Sequence, residues 1–126
     1  MAKTVLIVDD SASLRQVVNI ALNGAGYEVI EACDGQDALE KLDGRKVHVV
    51  ISDVNMPRMD GIALVKNIRQ LPAYKFTPIV MLTTESEEGK KLEGKAAGAK
   101  AWVVKPFQPA QLIEVVSKLT MAQGAA

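Results

Sequence analysis

The chain is short of several features whose absence narrows what it can be. It has one cysteine, Cys33, among 126 residues, so no internal disulfide can form. That thiol reads as a small apolar residue, buried or half-buried. No stretch approaches the roughly 18 consecutive apolar residues of a membrane span. The opening MAKTVLIVDD lacks the long apolar segment of a secretion signal. A surplus of charge is also missing: Lys+Arg number 15 and Asp+Glu number 15, for a formal net charge of +0. With no global basic field, neither nucleic acid nor a membrane surface is an expected partner. A cytoplasmic protein is the expectation, and any working electrostatics must be local. The single histidine, His48, has no second histidine or cysteine near it in sequence, so it reads as structural rather than metal-ligating.

What is present is a globular composition, 48% hydrophobic and 24% charged, at a length suited to one domain. The expected organisation is a single domain over 1–126, with a short tail from about residue 121. Five apolar, β-branched runs read as strands: Thr4–Val8, Glu28–Ala32, Val47–Ser52, Pro78–Thr83 and Ala101–Val104. Three are almost continuously apolar rather than alternating, the pattern of strands buried on both faces.

Helical patterns lie between the strands. Leu14, Val17, Val18, Ala21 and Leu22 follow an i, i+3, i+4 stripe, which Gly24 and Gly26 would stop. Asp34 can cap a short helix bearing Ala38, Leu39 and Leu42. Asp60 can cap another bearing Leu64, Val65 and Ile68. Leu112, Val115, Val116 and Leu119 form the last stripe, with Pro109 in its first turn. The segment SEEGKKLEGKAAGAK is the weakest helix, because Gly89 and Gly94 each cost about 1 kcal/mol relative to alanine. Five β-α repeats with right-handed crossovers give an α/β protein, a doubly wound five-stranded parallel sheet with helices on both faces.

In such a sheet, ligands sit beyond the carboxyl ends of the strands. The first strand is followed by Asp9 and Asp10, and the third by Asp53, Val54 and Asn55. The fourth ends in Thr83, Thr84 and Glu85, and the fifth runs into Lys105 and Pro106. Two carboxylates about 4 Å apart repel by about 4 kcal/mol at an effective dielectric of 20, so this edge calls for a cation. Sparse oxygen donors suit Mg²⁺, which retains waters and bridges to phosphoryl groups. A lysine and a hydroxyl complete the elements of a phosphoryl-transfer site. The loop DDSAS, with no glycine and two negative charges, excludes a nucleotide or flavin phosphate at that position.

The motifs VDDS, SDVNMPRMDG, LTTE and GAKAWVVKPF, in that order and spacing, carry a resemblance over nearly the whole chain. The chain resembles the receiver domain of two-component response regulators, most closely the stand-alone chemotaxis members of the CheY type. The resemblance implies the strand order 2-1-3-4-5, for which flavodoxin and CheY are the standard examples. It implies that Asp53 accepts a phosphoryl group from a phosphohistidine. Asp10, Asp53 and the carbonyl of Asn55 would ligate Mg²⁺ directly, and Asp9 mostly through a water. Lys105 and Thr83 would hold phosphoryl oxygens, and Lys105–Pro106 would be a cis peptide. Asn55 and Glu85 would modulate dephosphorylation, since they match the chemotaxis pattern flanking the attacking water.

A switch is implied as well: Thr83 moves toward the phosphoryl group and Trp102 turns inward, remodelling a partner face that includes Lys90, Lys91, Lys95, Trp102 and Lys118. Two residues depart from the pattern. Trp102 stands where tyrosine is usual, and Thr84 where a smaller residue is common. The implied partners are a histidine kinase of the CheA type, a phosphatase, and a flagellar motor switch protein of the FliM type or another output protein, engaged by a monomer. At this length no output domain is expected beside the receiver, so output is expected through contact with another protein. The alternative is a phosphorelay intermediate passing phosphate to a histidine phosphotransfer protein. Separate substrate turnover is not expected. A phosphatase of the haloacid dehalogenase type would want an acid two residues after the nucleophile, and Asn55 stands there.

Overall fold

The computed structural model describes residues 3–54, 56, 59–83 and 95–124. Five strands, β1 (Thr4–Val8), β2 (Glu28–Ala32), β3 (Val49–Asp53), β4 (Ile79–Thr83) and β5 (Ala101–Val104), form one parallel sheet in the order β2-β1-β3-β4-β5. Helices α1 (Ala12–Gly24), α2 (Gly35–Lys41), α3 (Gly61–Arg69) and α4 (Pro109–Gly124) surround it. The central strands are dry on both sides: β3 and β4 are buried throughout, and β1 in all but its first residue. Alternation along each strand divides the core in two. Val5, Ile7, Val49, Ile51, Val80 and Leu82 pack with Val18 and Leu22 of α1 and Leu112 and Val116 of α4. Leu6, Val8, Val50, Ile79 and Met81 pack on the opposite face with Ala38, Leu64, Val65 and Ile68 of α2 and α3.

Local chemistry sets the helix ends. The Asp34 carboxylate accepts from the Asp37 N–H, and the Asp60 carboxylate from the Ala63 N–H, at 2.8 Å each. Ser11 caps α1 in the same way, at 3.3 Å from the Leu14 N–H. Past α1, Gly26 takes a φ of 94°, a left-handed turn that glycine adopts without steric cost. The third strand begins two residues later than its apolar pattern suggests and runs through Asp53. His48 precedes it and accepts the Thr4 N–H on Nδ1 at 3.0 Å. Burial, then the charges of Lys3 and Lys46, hold its imidazole below the usual range. Of the segment 86–100 expected to be helical, residues 86–94 lie outside the described residues, and 95–97 are helical.

Two expectations are corrected. Cys33 is exposed, because it occupies the turn between β2 and α2. Its N–H is held by the Asp37 carboxylate at 3.0 Å while its side chain points outward. Val17 is 51% exposed; the buried face of α1 runs through Val18 and Leu22.

A 3₁₀ turn at Pro72–Tyr74, absent from the sequence pattern, joins α3 to β4. The Tyr74 hydroxyl accepts from the Gly44 N–H at 2.9 Å and donates to the Arg45 carbonyl at 2.7 Å. Arg69, at the end of α3, fans its guanidinium across four carbonyls. They are those of Tyr74 (3.3 Å), Lys75 (3.1 Å), Thr77 (2.7 Å) and Gly98 (2.8 Å). One planar fork thus ties this turn to the segment entering β5. Replacing it leaves several carbonyls without their donor. Arg69→Ala is expected to lose about 2–4 kcal/mol in urea unfolding, with faster amide exchange at 74–77. Arg69→Lys should recover only part of the loss, since one ammonium cannot span the four acceptors.

Candidate functional site

Parallel register brings the carboxyl ends of β1, β3, β4 and β5 to one edge of the sheet. Asp9 follows β1 directly, its N–H bonded to the Ala32 carbonyl at 3.1 Å. Its side chain is 1% exposed. Asp9 Oδ1 accepts the Ser11 N–H at 2.8 Å, which shapes the turn that starts α1. Asp10, the next residue, is exposed. Asp53 ends β3 and is 8% exposed. Carboxylate oxygens of Asp9, Asp10 and Asp53 lie within 4.8 Å of one another.

The start of α3 bonds back to the end of β3. The Gly61 N–H donates to the Val54 carbonyl at 2.8 Å, and Ser52 Oγ donates to the Asp53 carbonyl at 2.9 Å. A Cβ at position 61 would stand 2.2 Å from the Asp53 carbonyl oxygen and 2.8 Å from the Met81 methyl. Glycine is therefore the residue that lets α3 start so close behind Asp53.

Lys105 enters from the end of β5. Its N–H donates to the Thr83 carbonyl at 2.6 Å, and the Lys105–Pro106 peptide is cis. Its ammonium stands 3.2 Å from Asp9 Oδ2 and 3.2 Å from Asp53 Oδ1. Thr83, 3% exposed, ends β4 at the same edge. Burial, then the neighbouring Asp9 carboxylate, push the Asp53 carboxyl above the usual carboxylate range, and Lys105 pulls it back only in part. For Lys105, burial works against the charged form, but Asp53 and Asp9 outweigh it and hold the ammonium above its ordinary value. Three carboxylates against one ammonium leave two formal negative charges, the number a divalent cation offsets.

The arrangement thus gathers Asp9, Asp10, Asp53 and Lys105, with Thr83 beside them. Asn55, Glu85, Lys90 and Lys91 lie outside the described residues. Trp102 is part-buried against the core face formed with α2 and α3. Lys95 is exposed, and Lys118 is exposed and paired with Glu114 at 3.3 Å. Sequence reasoning missed Arg15, whose Nη1 donates to the Asp9 carbonyl at 2.6 Å, and Gly61. The DG pair before an apolar helical stripe was the available signal for Gly61; Arg15 had none.

The fold and this edge together define a class. The family model described as the response regulator receiver domain matches residues 5–117. The chemotaxis protein CheY1 of Helicobacter pylori is 42% identical over 111 residues, covering 86% of this chain and 90% of that protein. The chemotaxis protein CheY of Thermotoga maritima is 38% identical over 122 residues, covering 95% and 99%. Among solved structures, the chemotaxis response regulator CheY4 of Vibrio cholerae superposes with a TM-score of 0.89 at 51% identity, covering 94% of this chain and 99% of that one. The chain belongs to the response regulator receiver domain family. Its homologues include stand-alone chemotaxis proteins of two-component signalling.

Two measurements test this geometry. Because the folded Asp53 carboxyl titrates above its unfolded value, its contribution is full at low pH and is lost as pH rises through the raised value. Asp53→Asn should therefore stabilise the metal-free protein at neutral pH, by on the order of 1 kcal/mol or about 3–5 °C in the melting midpoint. The gain should vanish on acidification. Gly61→Ala should cost about 1–3 kcal/mol in the same assay, because the atom it meets is backbone.

Proposed function

We propose that the protein is a phosphorylation-activated response regulator that takes its phosphoryl group on Asp53. The observation that carries this reading is the Asp53 carboxylate, nearly buried, 3.2 Å from the Lys105 ammonium and within reach of Asp9 and Asp10. A carboxylate with a raised pKa is a better nucleophile once ionised. It attacks the phosphorus of a phosphohistidine on a partner kinase, forming an O–P bond as the P–N bond breaks and the imidazole nitrogen takes up the electron pair. Lys105 is placed to hold a phosphoryl oxygen and to neutralise charge developing there.

The donor set fits Mg²⁺. Its donors are carboxylate oxygens that lie within 4.8 Å of one another, the oxygen-only kind of set that Mg²⁺ takes. Asp10 and Asp53, with the Asn55 carbonyl, are the proposed direct ligands. Asp9 has one oxygen on the Ser11 N–H and the other on Lys105, which suits it to a role through water. When bound, the ion supplies charge compensation for the transferring phosphoryl group. Asn55 and Glu85 are the proposed modulators of dephosphorylation.

The switch reading draws on register. Met81 pairs with Trp102, and Thr83 with Val104, so Thr83 lies on the same sheet face as Met81 and Trp102, one alternation further along. A hydroxyl drawn to the phosphoryl group vacates space contiguous with the indole, which biases a two-state surface. That surface carries a groove of ≈ 380 Å³ lined by Trp102, Val104, Gln111, Val115 and Lys118 among others. It is the proposed site for an output protein, a flagellar motor switch protein in a chemotaxis role, with Lys118 on its lining to attract acidic side chains.

A second groove, ≈ 560 Å³ and mostly apolar, runs beside the acidic site between Leu14, Val17, Pro106, Phe107 and Pro109. It would seat the helix that presents a phosphohistidine. A kinase and the histidine phosphotransfer protein of a phosphorelay would fit it equally, so this groove also supports the relay reading.

Incubation with Mg²⁺ and a small acyl-phosphate donor should add one phosphoryl mass, lost in Asp53→Asn and on chelation. Trp102, the only tryptophan, should change its fluorescence concurrently. A folded protein that gains no mass would sink the mechanism. Onward transfer to a histidine domain would select the relay.

A further inference from the structure

We infer that Arg15 is a positioning residue for the cation site, fixing the peptide that joins Asp9 to Asp10. This rests on the Mg²⁺ reading above and concerns a residue to which that reading gives no role. Arg15 projects from the first turn of α1 with its side chain 17% exposed. It does not contact the acidic cluster by its charge alone. Its Nη1 donates to the Asp9 carbonyl at 2.6 Å, while its Nε donates to Glu31 Oε1 at 3.0 Å.

Glu31 is itself held from both ends. Its other carboxylate oxygen accepts from Asn19 Nδ2 at 2.7 Å, and its carbonyl accepts from Lys41 Nζ at 2.8 Å. The guanidinium is thus anchored by β2, α1 and α2 and aimed at one carbonyl. A peptide is planar, with its N–H opposed to its C=O. Holding the Asp9 oxygen therefore sets the plane from which Asp10 departs, and with it the direction of the Asp10 side chain. Asp10 is the exposed member of the cluster and the one that needs such a constraint. The part-buried salt bridge between Arg15 and Glu31 would not by itself require the carbonyl contact.

Electrostatics and positioning predict opposite signs. Arg15 places a positive charge near a cation site, within about one Debye length at physiological salt. By charge alone, removing it tightens Mg²⁺. By positioning, removing it weakens Mg²⁺, in the way that loss of an outer-shell partner costs about 10-fold or more in metal affinity.

The test is calorimetric titration of MgCl₂ into wild type, Arg15→Ala, Arg15→Lys and Asp53→Asn, with folding checked by circular dichroism. The expected result is an about 10-fold weaker Kd in Arg15→Ala, partly restored in Arg15→Lys, which keeps a donor but not the planar fork. Unchanged or tighter binding in Arg15→Ala, with wild type binding normally, overturns the inference and leaves the Mg²⁺ reading standing. A wild type that binds no better than Asp53→Asn removes the Mg²⁺ reading, and this inference with it. Should Arg15→Ala fail to fold, Arg15→Met carries the same comparison: it removes the charge and every donor while keeping an aliphatic stem, and a Kd equal to or tighter than wild type overturns the proposal.

Discussion

Gathering three carboxylates at the dry end of a parallel sheet is unfavourable, and that repulsion sets the terms for everything around it. Asp9 and Asp53 are both nearly buried, where like charges interact more strongly than in water. The fold offsets this with one ammonium, Lys105, shared between them at 3.2 Å each. It does not offset it fully: burial, and then the Asp9 carboxylate, still hold the Asp53 carboxyl above the usual carboxylate range. The residual negative charge is what a divalent cation would offset, and the proposed phosphoryl transfer depends on that compensation.

Such a site persists only because the scaffold holds it rigidly. The three central strands are buried on both faces, so a register slip would drive apolar side chains into water and move each aspartate off the edge. Behind Asp53, the chain turns through Val54 and re-enters helix at Gly61 with no room for a Cβ. Behind Lys105, the strand ladder holds its N–H on Thr83. The acidic turn after β1 is held by Ser11 on one side of the Asp9 carboxylate and by Arg15 on the Asp9 carbonyl. Each charged group thus has a backbone fixed by contacts that are independent of its charge.

What could be read from the residues, and what could not, divides along contact range. Strands β1, β2 and β5 follow their apolar runs residue for residue, and Asp34 and Asp60 cap as their spacing suggests, because these features are set within a few residues. The convergence of Asp9, Asp10, Asp53 and Lys105 followed from one topological rule applied to three strand ends. Arg15, Arg69 and Tyr74 were invisible for the opposite reason. Each uses a long side chain to reach carbonyls or amides on another element, and no local pattern encodes where such a side chain ends. Cys33 and Val17 misled because an apolar residue type says what burial would gain, not which side of a turn or helix the chain presents.

The same division bears on how a charge at one edge can reach a distant surface. Thr83 and Trp102 share a sheet face on adjacent strands, separated by one side-chain alternation. The space between them is bounded by core residues such as Met81 that cannot move without opening a cavity. In the proposed switch, a displacement of the Thr83 hydroxyl would not be absorbed by the core and would pass to the partly exposed member of the set, the indole at the sheet's outer strand. Beside β5 lies a groove rather than another strand, so the outer strand is where the sheet can yield. The proposed output surface lies where tight packing stops, at the groove beside β5.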